Sequence, residues 1–97
     1  MRVETPDKEA LFDAILSIES QEEAKAFFRD LLTESEIQEF ALRWKAARML
    51  SDGIPYATIQ AETGLSSRTV ARISKWLTSG MDGYKLVLNR VHHHDDS

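Results

Sequence analysis

PYATIQAETGLSSRTVARISKW, residues Pro55–Trp76, decides the fold of this chain. It reads as two short helices around a tight turn. Counting Tyr56 as the first position, Ile59, Leu65, Val70 and Ile73 stand at positions 4, 10, 15 and 18, with Gly64 at 9. That spacing lets Ile59 face Val70 and Ile73 when two helices cross at a wide angle. Gly64 supplies a backbone angle that a side chain would resist. Ser66 is a cap for the second helix, so Ser67, Arg68 and Thr69 fall in its first turn. In a helix-turn-helix unit that end points at base edges in the DNA major groove, and its free N–H groups attract phosphate. Arg68 has the geometry to read a guanine with two hydrogen bonds. Arg72 and Lys75 continue the basic character along the same helix. Tyr56, Thr58 and Gln60 on the first helix are placed to reach phosphates. Many such motifs carry a small residue at position 5, where Gln60 stands. Either the helices cross less tightly here, or Gln60 leans outward to DNA. Helix pairs of this kind also serve as protein-interaction modules, and that reading stays open.

Working outward, capping signals mark the remaining helices. Thr5-Pro6 opens the first, with Asp7 and Glu9 suited to the positive helix end and Leu11, Ala14, Ile15 and Ile18 at helical spacing. Ser20 to Glu23 is a capping box before a stripe of Ala24, Phe27, Phe28 and Leu31. Thr33 to Glu36 is another, and starts a long third helix over about Glu34–Ser51. Ile37, Phe40, Ala41, Trp44 and Ala47 share one side of that helix; Leu42, Ala46, Met49 and Leu50 occupy another. So wide an apolar surface calls for cover on several sides, from a partner chain among others. Gly53 stops this helix, and Pro55 permits a fresh start. The fourth helix is expected over Tyr56–Glu62, the fifth over Ser67–Thr78, and a short sixth over Tyr84–Arg90 after Gly80 and Gly83. No strand-like alternation is visible, so the chain is expected to be all-α. One domain over 1–91 is expected, with the helix-turn-helix over about 55–78 and a disordered tail over 92–97.

With 97 residues, the chain is short enough to benefit from a second copy. It has no cysteine, which leaves neither disulfides nor thiolate metal sites. The opening MRVETPDKE is charged throughout, unlike a secretory leader, and no apolar run exceeds three residues. A cytoplasmic setting without a membrane partner is the expectation. The net charge of −4 is unevenly spread. Residues 1–40 hold 11 acids and 4 bases; residues 41–97 hold 5 acids and 8 bases. Between Ser66 and Arg90, five bases face one acid, Asp82, as on a nucleic-acid binding face. Histidine occurs only in the tail, so no Ser-His pair supports catalysis in the body. His92, His93 and His94 are adjacent and do not converge on one tetrahedral site. Gly80-x-x-Gly83 is too short for a phosphate loop. Neither a metal nor a cofactor is expected, nor catalytic residues.

From about Leu11 to Leu88 the chain resembles the Trp repressor superfamily, in particular the Trp-repressor-like YerC/YecD group. FFRDLLTESE (Phe27–Glu36), Arg43-Trp44 running into AARMLSDG (Ala46–Gly53), TGLSSRTVARI (Thr63–Ile73) and the Gly80-x-x-Gly83-Tyr84 segment carry the resemblance. It implies a six-helix fold, an intertwined homodimer, and a regulator of transcription that binds a two-fold symmetric stretch of double-stranded DNA. It also implies that Tyr56, Gln60, Ser67, Arg68 and Ala71 face DNA. Arg43 and Arg72 match two arginines that hold tryptophan in the Trp repressor, and Thr33 and Thr69 match two threonines at the pocket's edge. These four are candidate effector contacts. Ile73 replaces a glycine of that pocket, and Trp76 replaces a serine. Both are expected to fill the ligand's space, so tryptophan is not the expected ligand; another small effector, or none, remains.

Overall fold

Four of the six helices start where a side chain takes over a backbone amide that the first turn leaves without a partner, while α4 starts at Pro55 with no side-chain cap bond. In the computed structural model, which describes the backbone of residues 5–96 and side chains through Val91, Thr5 Oγ1 accepts from the Lys8 amide at 3.1 Å. Ser20 Oγ accepts from Glu23 at 3.1 Å, and the Glu23 carboxylate accepts from the Glu19 amide at 2.9 Å. Thr33 and Glu36 close a reciprocal box at 3.1 and 2.9 Å. The resulting elements are α1 (Pro6–Leu16), α2 (Gln21–Leu31), α3 (Glu34–Ser51), α4 (Tyr56–Thr63), α5 (Ser67–Ser79) and α6 (Gly83–Asp96). Among the described residues there is no strand, and no helix is long and apolar enough to cross a membrane.

The chain divides into two compact units, with the boundary between Ile37 and Gln38, where a single domain over 1–91 is expected. In the first unit, Phe27 and Phe28 meet edge to face with ring centroids 5.3 Å apart. No residue of α1 or α2 is buried. In the second unit, Ala46 and Ala47 of α3, Ile59 of α4, and Val70 and Ile73 of α5 form the core. The two alanines contribute only methyl groups to this core. Trp44 stacks on Tyr84 with centroids 6.4 Å apart and thereby ties α3 to α6. The apolar surface of α3 is only partly covered: Phe40 remains 49% exposed.

The sixth helix departs from expectation. Its backbone is helical from Gly83 to Asp96, rather than over Tyr84–Arg90 with a disordered tail from 92. No proline or glycine after Gly83 interrupts it. The side chains of His92, His93 and His94 lie outside the described residues, as does all of Ser97.

Candidate nucleic-acid interface

The turn between α4 and α5 is held by Thr63, Gly64 and Ser66. Gly64 adopts a left-handed conformation, φ +73°, and its amide bonds back to the Gln60 carbonyl at 2.8 Å. Thr63 is buried, and its hydroxyl donates to the Ile59 carbonyl at 2.7 Å and accepts from the Leu65 amide at 3.2 Å. Ser66 then caps α5: its Oγ accepts from the Thr69 amide and donates to Thr69 Oγ1, both at 3.1 Å. Behind the turn, Lys45 of α3 pairs with Glu62 of α4 at 3.5 Å.

On α5 the chemistry separates cleanly by face. Val70 and Ile73 point into the core, and Ser67, Arg68, Ala71, Arg72 and Lys75 are exposed. At 3.6 residues per turn these five exposed positions fall within an arc of about 140°. Arg68, Arg72 and Lys75 engage in no ion pair among the described residues, and α5 contains no acid. Their charges are therefore open to an anion from outside. Ser66 is exposed and Thr69 is half-buried beneath it. On α4, Tyr56 and Thr58 are exposed. Gln60 is half-buried, so it neither leans fully outward nor enters the core.

The candidate effector residues are occupied differently. The Thr33 hydroxyl serves as a helix cap. Arg43 pairs with Glu39 one turn earlier, and its guanidinium lies 5.9 Å from the centre of the Phe40 ring. Among the described residues Arg72 has no ion-pair partner. Ile73 fills protein interior at 3% exposure, as its apolar side chain predicts. Trp76 does not: it is 53% exposed and lines an open cleft of about 770 Å³ with Met81, Tyr84 and Val87. Three residues beyond Ile73, it stands about 60° around the helix from that edge of the buried stripe and about 120° from Val70. The cleft's floor is tightly made, since a Cβ on Gly80 would come within 2.6 Å of the Trp76 carbonyl oxygen. Three contacts escape a reading of the sequence: the Thr63 hydroxyl bonds, the Lys45–Glu62 pair and the Trp44–Tyr84 stack. All but the first join residues far apart in the chain, and a threonine before a glycine signals only a turn.

An all-α unit with a capped, basic second helix after a left-handed glycine defines the helix-turn-helix class of DNA-binding proteins. Residues 7–92 match the family described as Trp repressor protein, and the chain belongs to that family. The chain is 46% identical over 81 residues to the uncharacterized protein YerC of Bacillus subtilis (strain 168), covering 84% of this chain and 78% of that protein. Among solved structures, it is similar to a TrpR like protein from Eubacterium eligens ATCC 27750, with a TM-score of 0.86, 38% identity and 93% of each chain covered. It is also similar to a Trp repressor candidate from Staphylococcus aureus, with a TM-score of 0.85, 40% identity, and 93% of this chain and 90% of that one covered. The six-helix fold and the family resemblance are thereby borne out. The family is one of DNA-binding transcription regulators and not of enzymes.

Proposed function

We propose that this protein acts as a homodimeric, sequence-specific repressor of transcription in the cytoplasm, binding a two-fold symmetric operator without tryptophan as corepressor. The observation that carries this reading is the exposed basic face of α5, without an ion pair among the described residues, beginning at the Ser66 cap. Ser66, Ser67, Arg68, Thr69, Ala71, Arg72 and Lys75 form the reading surface, with Tyr56, Thr58 and Gln60 reaching the phosphates beside it. Two copies would set two such heads about one turn of DNA apart. The absence of any buried residue in α1 and α2 supports a second chain as their cover. A core-packed Ile73 supports independence from tryptophan, because it leaves no slot at that point of α5. Thr33, Arg43, Thr69 and Arg72 remain the residues to test for a different small effector.

The deciding experiment is selection from randomised duplex DNA at about 100 mM salt, without tryptophan, where phosphate contacts still hold. Enrichment of a two-fold symmetric motif is the expected result. A pool that stays random with and without tryptophan would favour the rival reading, a helical protein-interaction module. The net charge of −4 and the half-buried Gln60 are what speak for that rival.

A further inference from the structure

Thr63 is the single buried polar residue among those described, and none of its bonding serves the exposed face of either helix. At 6% exposure it cannot touch DNA. Its hydroxyl hydrogen goes to the carbonyl of Ile59, which is itself fully buried in the core. Its oxygen takes the amide of Leu65, two residues on and past the helix end. Helices that end in a left-handed glycine commonly send the next amide back to a carbonyl of their own last turn. Here the Leu65 amide takes the threonine hydroxyl. Leu65 is half-buried, so water is a poor substitute. The next residue, Ser66, caps α5 and so determines where Ser67 and Arg68 stand.

We propose that Thr63 is a positioning residue for DNA readout: its buried hydroxyl, bonded at once to Ile59 and Leu65, fixes the direction in which α5 leaves the turn. The inference rests on the reading of α5 as the DNA-facing helix. One oxygen links a core residue of α4 to the chain entering α5, with Gly64 as the pivot between them. Glycine at a left-handed position is permissive by nature, so the pivot sets the allowed angles but does not choose among them. The hydroxyl makes the choice. Removing it leaves α4 and α5 packed through Ile59, Val70 and Ile73, but frees the first turn of α5 to swing.

The test compares the wild type with Thr63→Val, which keeps the shape without the hydroxyl, and Thr63→Ser, which keeps the hydroxyl. Affinities are measured for the duplex selected by the wild type and for a scrambled duplex of the same length. Thr63→Val is expected to lose about tenfold of its preference for the selected duplex while its affinity for the scrambled one is unchanged. Thr63→Ser is expected to restore the preference. Amide hydrogen exchange without DNA should show Leu65 exchanging about tenfold faster in Thr63→Val alone. A merely structural role would reduce the folded fraction and weaken both duplexes together; that result overturns the proposal. So does an unchanged preference in Thr63→Val, or an unchanged Leu65 exchange rate. A wild type that prefers no duplex at all defeats the DNA-binding reading first. A wild type that selects normally beside an indifferent Thr63→Val defeats this inference alone.

Discussion

Arg68 occupies the first turn of α5, exposed and with no ion pair among the described residues to hold its guanidinium. Its fork of donors is suited to two hydrogen bonds with one guanine. Arg68→Ala should lose about 1–3 kcal/mol of discrimination at one base pair per half-site, measured against single-base variants of the selected duplex. Retained discrimination would take base reading away from this residue. Asp82 poses a different question, since it holds φ at +68° between two glycines. A side chain in that region is strained by about 1 kcal/mol or more, although aspartate tolerates it better than most. Asp82→Gly should therefore raise stability by about 0.5–1 kcal/mol, after allowing for the freer unfolded chain. A urea titration reads this directly, and a loss of stability would show that the aspartate contributes more than its backbone angle costs. Trp76 carries a lesson at the same scale. Its identity marks it as core material, yet its angular position on α5 leaves it half exposed. Residue type alone does not reveal that.

The helices are framed by local chemistry, and for that reason their starts were legible. Thr5, Ser20, Thr33 and Ser66 each precede a run with helical spacing, and each accepts an amide in the first turn. A cap involves residues within four of one another, so the sequence displays it whole. Ser66 is the one whose loss reaches the exposed basic face of α5. Ser66→Ala should destabilise the fold by about 1 kcal/mol, while Ser66→Asp, which can still cap, should cost much less. Thermal unfolding of the two variants checks the difference; equal losses would mean the cap bond is not what matters. Helix ends were less legible. Gly53 and Gly64 stop α3 and α4 as their left-handed angles require, at φ +80° and +73°. Nothing comparable follows Gly83, and α6 outruns its expected end. The Thr63 hydroxyl bonds depend on burial beside Ile59, a consequence of how α4 lies on α5 that the threonine's neighbours do not encode.

At the scale of the molecule, the balance of exposed and buried surface is uneven. The core of the second unit consists of five residues, two of them alanine. The first unit buries none in its helices, and Leu11, Phe12 and Leu16 of α1 are exposed, Leu16 at 82%. Apolar surface of that extent is stabilised by association, and two copies in one fold would make stability a function of concentration. The unfolding temperature should rise as protein concentration is raised, and light scattering should give twice the mass of one chain. A monomer at micromolar concentration with a constant unfolding temperature would remove the shared-core reading. Charge is also divided: five bases face one acid between Ser66 and Arg90, and 11 acids outnumber 4 bases in residues 1–40. Sequence alone displays that division, because counting charges needs no packing.

The helices that bury nothing are also the ones made first. At roughly 5–20 residues per second, a ribosome needs about 5–20 s for a chain of this length. The residues of α1 and α2 are joined to the chain before the core residues Ile59, Val70 and Ile73 have been added. Leu11 and Phe12 are then open to whatever lies nearest, and on a crowded message an identical nascent chain is one such neighbour. If two copies share one fold, translation density would enter their assembly, and a sparsely translated message would yield fewer pairs per chain than a busy one.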